Sequence, residues 1–373
     1  MPIQRPRILH AAQMAGTGVV SPSNLNARAQ SGSANRNLVH NGAMLVNQKG
    51  SSAITLSGLT PNIDRFTAYK ANDGTQTVEQ STDGPEGFKN SLKVTNTGAD
   101  ASVAAGNRVA IIHRMEGQHV SHLEWGTAAA KTVTLSFYVK SSITGTHGGA
   151  FGNGANNRAY PFTYTISSAN TWERKSITVA GDTTGTWATD NTTGLQVAWG
   201  LGVGTTNSGT AGAWESADRN SATGATTAFL TTVNATWFLT GVQLEIGDTA
   251  TAFEHEPFER TLLKCQRYYY LKGKGAATYL GNGGYTASSE VDCVVNFPTT
   301  MRSAPSLEQV SGTNYYSAIS ADGTDTLDDF VIHQSTIHSI LIYNNSDASG
   351  TTGRYAALNI VNAAGSIAFS SEL

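Results

Sequence analysis

Short runs of strand-forming residues alternate with clusters of Gly, Asn, Asp, Ser and Thr from Asn37 onward, at intervals of about a dozen residues. In 133–139, four apolar residues alternate with Thr, Ser and Tyr. A period of two turns successive side chains to opposite faces of a strand, so one face of this strand is predicted to be buried and the other to be in water. The repeated pattern predicts an all-β chain built as a sandwich or barrel.

The candidate strands fall into two sets. The first set predicts a β-sandwich over 37–256, with strands at 65–69, 77–80, 91–95, 109–114, 131–140, 160–167, 172–179, 195–202 and 237–245. The second set predicts a smaller β domain over 257–373, with strands at 279–280, 291–297, 307–310, 315–319, 330–333, 339–343, 355–362 and 366–369.

Two segments differ from this pattern. Residues 1–36 carry Arg, Pro and a QSGSANRN stretch, a composition typical of an extended arm that is ordered only against a partner or the rest of the protein. Residues 257–266 give the clearest helical signal, because Pro257 suits a first helical turn. We predict that this short helix is a hinge that links the two domains.

Charge and apolar content exclude two classes of partner. The chain has 373 residues with 24 Lys and Arg against 27 Asp and Glu, which gives a net charge of -3. We therefore expect no nucleic-acid binding. No apolar stretch is long enough for a membrane helix, so membrane insertion is not expected. The two cysteines, Cys265 and Cys293, are 28 residues apart and are predicted to be free buried thiols.

The motifs of common active sites are missing, so we expect no enzyme. His113, His119 and His122, with Glu116, are the densest group of metal-ligand types, but in a strand His119 and His122 would point to opposite faces. The Gly-rich runs 148–154 and 200–204 have no helix after them, and are interpreted as turns rather than phosphate loops. A GxSxG elbow is also absent.

Aromatic residues in polar, loop-rich segments are candidates for glycan binding. Sugars stack on the flat faces of such rings when amides and carboxylates lie beside them. Tyr160 follows NGANNRA, Trp187 lies in TTGTWATDN, and Trp214 lies in TAGAWESADRN. Packing in the core or at the rim of the sandwich is the alternative role for each ring.

Several longer motifs occur together in this chain. They lie at 37–50, 64–66, 136–146, 171–187, 209–216, 237–270 and 295–307. This set resembles tail-fibre and virion structural proteins of tailed bacteriophages, most strongly at GVQLEIGDTATAFEHEPFE and CQRYYY, and its best-known part resembles a carbohydrate-binding-module jelly roll. The resemblance covers about 37–310. It implies a jelly-roll sandwich over 37–256.

The resemblance also implies a function. We expect a non-enzymatic virion protein, a homotrimeric tail fibre or receptor-binding protein, which attaches to host surface glycans. Residues 1–36 would then dock to other tail or capsid proteins. Jelly rolls of this type often hold a structural calcium, and here Glu245 and Asp248 would supply oxygens for it. No other cofactor is expected.

Two alternatives remain at this stage. In the first, the chain is a capsid-decorating or tail-scaffold protein that binds no receptor. In the second, it is a depolymerase that cuts surface polysaccharide. The depolymerases that we would recognise have long parallel β-helix repeats, and this sequence shows no fixed repeat.

Overall fold

A computed structural model describes residues 35–373. Residues 37–373 form one compact unit. The predicted arm therefore lies, except for its last two residues, outside the described residues. The unit 37–373 is an all-β structure: a jelly-roll sandwich is followed by further β-sheets.

Two six-stranded sheets form the jelly roll. Sheet 1 consists, in spatial order, of β1 (Ile54–Thr55), β4 (Thr75–Ser81), β5 (Ser91–Gly98), β14 (Thr236–Ile246), β7 (Val133–Ser141) and β10 (Glu173–Val179). Sheet 2 consists of β2 (Gly58–Ile63), β3 (Phe66–Ala71), β6 (Arg108–Glu116), β11 (Thr193–Val203), β8 (Gly145–Gly152) and β9 (Ala159–Ile166). Most of the predicted strands in this region are confirmed.

The core of the jelly roll lies between these sheets. Phe137 of β7 contacts Trp199 of β11 edge to face, with ring centroids 5.7 Å apart. Both side chains are fully buried. The prediction of a wet second face on β7 is wrong, because Thr134 and Ser136 are also buried. The chain after β14 returns over this face, and the Thr134 hydroxyl donates to the carbonyl of Gly247 at 2.8 Å.

Three short helices and a small parallel ladder connect these strands. The helices are α1 (Gly117–Val120), α2 (Ala228–Thr231) and α3 (Phe258–Gln266), and 3-10 turns lie at Ser121–Leu123 and Thr205–Asn207. The ladder pairs β12 (Ser208–Gly209) with β13 (Ser221–Ala222). The predicted helix at 257–266 is confirmed as α3.

One Gly-rich run is not a turn, contrary to the sequence interpretation. Residues 145–152 form β8, which pairs with β9 and β11. A Cβ added at Gly148 would lie 2.2 Å from the Ser221 hydroxyl, and one at Gly149 would lie 2.4 Å from the carbonyl oxygen of Ala198. The glycines of this strand therefore allow neighbouring chain to approach closely. Most of the second run, 200–203, lies in β11.

The C-terminal part contains two further sheets. Sheet 3 consists of β15 (Tyr269–Lys274), β24 (Ser366–Ser370) and β18 (Ser306–Val310). Sheet 4 consists of β20 (Gly323–Leu327), β19 (Tyr316–Ser320), β23 (Tyr355–Ile360), β16 (Thr278–Ala287), β17 (Glu290–Asn296), β22 (Ser339–Asn344) and β21 (Val331–Ser335). A second hydrophobic cluster, with Tyr316, Phe330 and Phe369 among its buried members, belongs to these strands. The boundary at 256/257 stays a prediction.

A buried polar network joins the jelly roll to the C-terminal part. Arg267 donates two hydrogen bonds to the Glu116 carboxylate, at 2.7 and 2.8 Å, and the Tyr268 hydroxyl donates a third at 2.5 Å. The Arg65 guanidinium lies 3.4 Å from the Tyr268 ring centroid and pairs with Glu372 at 2.5 Å. This junction argues against the predicted hinge, because motion there would expose partners that hold a fully buried carboxylate.

Candidate functional site

The structure brings the three predicted glycan-binding aromatics together. The Tyr160 and Trp214 ring centroids are 5.3 Å apart, and those of Trp187 and Trp214 are 5.5 Å apart. A fourth ring, Trp125, lies 4.8 Å from Trp187 and 5.3 Å from Trp214. Sequence reasoning missed Trp125. The group lies against the core of the jelly roll.

The geometry of these rings is that of packing. The three indoles meet almost perpendicularly, at 78° to 83°, so each ring edge covers part of a neighbouring face. Each indole N–H donates to a backbone carbonyl: Trp125 to Lys131, Trp187 to Thr184 and Trp214 to Ala180. The rings therefore do not form a flat platform on which a sugar could stack. Glycan binding by Tyr160, Trp187 and Trp214 stays a prediction.

An ion pair lies beside this aromatic cluster. Arg158 donates to both oxygens of Asp182 at 2.7 Å, and its guanidinium lies 6.0 Å from the Trp214 ring centroid. Burial raises the pKa of Asp182, but hydrogen bonds from Arg158 and Thr184 outweigh it and hold the pKa below its ordinary value. The pair is satisfied within the protein and ties the 182–187 loop to β9.

A better candidate for a binding site is an open groove on the outer face of sheet 2. Its volume is about 200 Å³. The floor is apolar at Ile112 of β6, which packs on the outward face of sheet 2 with Ala110 and Ala198. The surrounding residues are Leu59, Tyr69, Arg108, Arg114, Asn156, Gln196, Asp218 and Asn220. This groove combines one aromatic ring with amides, guanidinium groups and a carboxylate, which suits a ligand with many hydroxyl groups.

Polar contacts fix the walls of the groove. Arg108 donates to Asp218 at 2.9 Å and to the Asn220 amide oxygen at 2.7 Å. Its guanidinium carbon also lies 4.4 Å from the Tyr69 ring centroid. On the other side, the Gln196 amide donates to Asn156 at 2.7 Å. These groups are held in place before any ligand arrives, which lowers the entropic cost of binding.

The groove residues were missed because they are far apart in the sequence. Tyr69 lies on β3, Arg108 on β6 and Gln196 on β11, while Asp218 and Asn220 come from the loop before β13. A local signal exists in β6, where Arg108 and Arg114 share the outward face with Ala110 and Ile112. Only the strand pairing shows which distant residues complete that face.

The histidine group does not form a metal centre. Within residues 35–373, no group of three or more His, Cys, Asp or Glu side chains is placed to hold a metal ion. Glu116 accepts hydrogen bonds from Arg267 and Tyr268. The sequence interpretation placed His119 and His122 on a strand, but β6 ends at Glu116 and both lie on the helical turns that follow.

The residues predicted to hold calcium lie in different environments. Glu245 is buried, and its carboxylate accepts hydrogen bonds from the Gln243 amide and from the N–H and hydroxyl of Thr251, at 2.7 to 2.9 Å. Asp248 is exposed and accepts from the Thr249 hydroxyl at 3.0 Å. Calcium takes six to eight oxygen ligands, whereas the neighbours of Glu245 present donors. These residues therefore do not fit a calcium ion.

Two further features concern the cysteines and the helices. Cys265 and Cys293 are free and buried, as predicted. In the described part of the chain, no helix has both the length and the apolar character needed to cross a membrane.

Comparisons with known proteins give only distant likenesses. No protein-family model and no curated protein matches this sequence. A Bacteroides thetaiotaomicron protein that is named a putative sugar binding protein matches 57% of this chain and 100% of its own, at 11% identity and a TM-score of 0.32. The family 11 carbohydrate-binding module from Clostridium thermocellum, solved with a mixed-linked tetrasaccharide, matches 55% and 99%, at 10% identity and a TM-score of 0.27.

A phage protein is also among the similar structures. The enzymatically active domain of tailspike protein 4 from bacteriophage CBA120 matches 57% of this chain at 12% identity and a TM-score of 0.29. This chain spans only 22% of that domain. TM-scores this low carry no argument about function, and the jelly-roll fold stated above rests on the sheets themselves.

Proposed function

We propose that this chain binds glycans through the groove on sheet 2. The observation that supports the proposal is the combination of Tyr69, the Arg108–Asp218 pair and the Gln196–Asn156 amides around an apolar floor. Sugars present C–H faces that stack on an aromatic ring and hydroxyls that bond to amides and carboxylates. The groove offers both kinds of contact within one open site.

The site is shallow, which fits a function that depends on several weak contacts. Its 200 Å³ is below the size of a typical enclosed small-molecule pocket. Several copies that act together would raise the avidity far above that of one groove. We therefore propose a homotrimer, non-enzymatic, that uses glycan binding for attachment.

The biological setting is the second part of the proposal. The motifs at 241–259 and 265–270 resemble those of tailed-phage fibre proteins. On that basis we propose a virion protein, located on the phage tail or particle surface, that attaches to host surface glycans. Residues 1–36 would dock to other virion proteins.

Binding to immobilised surface polysaccharides and to bacterial cells tests the groove. Tyr69→Ala and Asp218→Asn should each weaken binding by about tenfold, because each removes a stacking or hydrogen-bonding contact worth about 1 to 1.5 kcal/mol. Tyr138→Ala is a matched control, since Tyr138 is a half-buried tyrosine on sheet 1. Circular dichroism and thermal melting show that each variant is folded.

The same experiment separates the rival functions. Folded groove variants that bind like the unaltered chain would refute the groove as the site. A capsid-decorating or tail-scaffold protein would bind no cells or polysaccharide at all. Shortening of the polysaccharide during incubation would instead indicate a depolymerase. The trimer is tested by light scattering, where three chains of 39.2 kDa give about 118 kDa.

A further inference from the structure

The outer face of sheet 4 carries two exposed tyrosines that share one partner. Tyr279 of β16 is 51% exposed and Tyr355 of β23 is 58% exposed. Both hydroxyls donate to the side-chain oxygen of Asn282, which lies between them on β16. Two aromatic rings beside each other on a sheet face form an exposed patch, and such patches often mark binding sites.

Strand pairing shows how these rings are arranged. Tyr279 is opposite Asn359, and Tyr355 lies four residues before Asn359 on the same strand. At about 3.3 Å per residue, the two tyrosine Cα atoms are about 13 Å apart along the sheet. Because both hydroxyls reach Asn282, the rings extend toward each other along the sheet surface. They form a strip, which we call the tyrosine strip (Tyr279, Asn282 and Tyr355).

The middle of the tyrosine strip is open. Gly284 is opposite Tyr355 and Ala357 is opposite Asn282, so Asn282 supplies the side chain between the rings. Its amide nitrogen makes no hydrogen bond within the described residues, while its oxygen is occupied by the tyrosines. A ligand oxygen would therefore find a free donor between two aromatic surfaces.

The charge of this surface selects the ligand. Outward positions on the neighbouring strands carry Ala357 and Asn359 on β23 and Ser317 and Ile319 on β19, which are all uncharged. The first carboxylate on this face is Asp292 of β17, opposite Gly284. Aromatic, amide and hydroxyl groups with a carboxylate beside them are complementary to an uncharged ligand rich in hydroxyls, and unfavourable for a phosphate or an acidic polymer.

We infer that the tyrosine strip is a second carbohydrate-binding site, specific for neutral polysaccharide chains. It lies in the C-terminal sheets and shares no residue with the groove on sheet 2. One chain would then hold glycan at two places, and the two sites would reinforce each other on a polymer that reaches both. The strip is tested independently of the groove.

Affinity gel electrophoresis of the full chain, with neutral β-glucan, xylan or galactan in the gel, measures this binding. Tyr279→Ala/Tyr355→Ala should weaken retardation by at least about tenfold, since two stacking contacts are lost. Asn282→Asp should also weaken it, because the free donor becomes an acceptor. Tyr343→Ala is the matched control, on the same face of β22 and two strands from β16. Its retardation should be unchanged.

Combining the strip and groove variants distinguishes failure of this inference from failure of the groove. If Tyr69→Ala alone abolishes retardation and the strip variant binds normally, the strip is refuted and the groove stands. If retardation is lost only in the strip variant, the strip stands and the groove is refuted as a site for neutral polysaccharide. If no chain is retarded, neither site binds neutral polysaccharide. A lower mass of the strip variant by light scattering would show a contact between copies instead, and would overturn the inference.

Discussion

The junction between the jelly roll and the C-terminal sheets depends on one buried carboxylate. Glu116 has no exposed side-chain surface, and the Arg267 side chain is 21% exposed. Replacing Arg267 by Ala removes two charge-assisted hydrogen bonds and leaves Glu116 with Tyr268 and Gln118 as donors. Loss of one partner of a buried pair typically costs about 3 to 5 kcal/mol. We expect Arg267→Ala to lower the free energy of unfolding by about 3 kcal/mol.

A double-mutant cycle isolates the pair. Glu116→Gln keeps the shape but removes the charge, and should also destabilise the protein. The free energy of unfolding of the double variant should fall by less than the sum of the two single losses, with a coupling energy of about 1.5 kcal/mol or more. The reason is that the second substitution no longer leaves a buried charged group without its partner. Urea unfolding, followed by tryptophan fluorescence, measures each difference.

A solvent-exposed pair supplies the control. Arg354 and Asp322 are 3.3 Å apart with side chains 53% and 39% exposed, so Arg354→Ala should cost less than about 0.5 kcal/mol. The reasoning fails if Arg267→Ala costs no more than this control, or if the two junction variants are additive.

The same carboxylate predicts a dependence on acid. Burial raises the pKa of Glu116, but hydrogen bonds from Arg267 and Tyr268 outweigh it, so its pKa in the folded protein lies below 4.5. Its contribution to stability is therefore present above pH 4.5 and is lost as the pH falls through the folded value. In Glu116→Gln this loss should disappear.

Other predictions concern the core, the histidines and the metal. Trp187→Ala/Trp214→Ala should lower the free energy of unfolding by about 3 kcal/mol or more, since both rings pack on the core; unchanged urea unfolding with lost glycan binding would contradict this. Burial lowers the pKa of His113 from 6.5 to about 3, so stability should fall below pH 6.5 by about 1.4 kcal/mol per pH unit, and less in His113→Asn. Gly148→Ala should reduce the melting temperature, because its Cβ would clash with the Ser221 hydroxyl. An unchanged melting temperature would show that the segment 205–227 moves to make room for the methyl group. Millimolar Ca²⁺ should leave the melting temperature unchanged. A rise in the melting temperature would support calcium binding at Glu245.

Alternating apolar residues predicted the strands at 133–139 and in most of β11, although both faces of these two strands are buried. The pattern is missing at β8, because its glycines have no apolar side chain and instead allow Ser221 to approach Gly148 and Ala198 to approach Gly149. Glycine is therefore typical both of turns and of strands that pack closely against other chain, and only the tertiary structure distinguishes the two cases.

The candidate sites show a similar division. Sequence context identified Tyr160, Trp187 and Trp214 as separate candidates. It did not show that these rings would meet, that Trp125 would join them, or that the ring edges would cover one another. The groove and the tyrosine strip depend on register across strands that are distant in the sequence. A polar residue on an outward face looks like ordinary surface until its neighbours on that face are known.

The two proposed binding faces share one structural device, which the aromatic cluster lacks. In the groove, Ala198 is the small residue beside Ile112, which lines the site, and in the strip Gly284 and Ala357 are the small residues beside Tyr355 and Asn282. Small residues at the centre of a sheet face, with aromatic and amide groups at its sides, keep a ligand-sized surface open. Where large rings instead fill the centre, as Trp125 does beneath Trp187 and Trp214, the surface is closed. If this reasoning holds, Ala198→Leu should abolish glycan binding at the groove without changing binding at the strip.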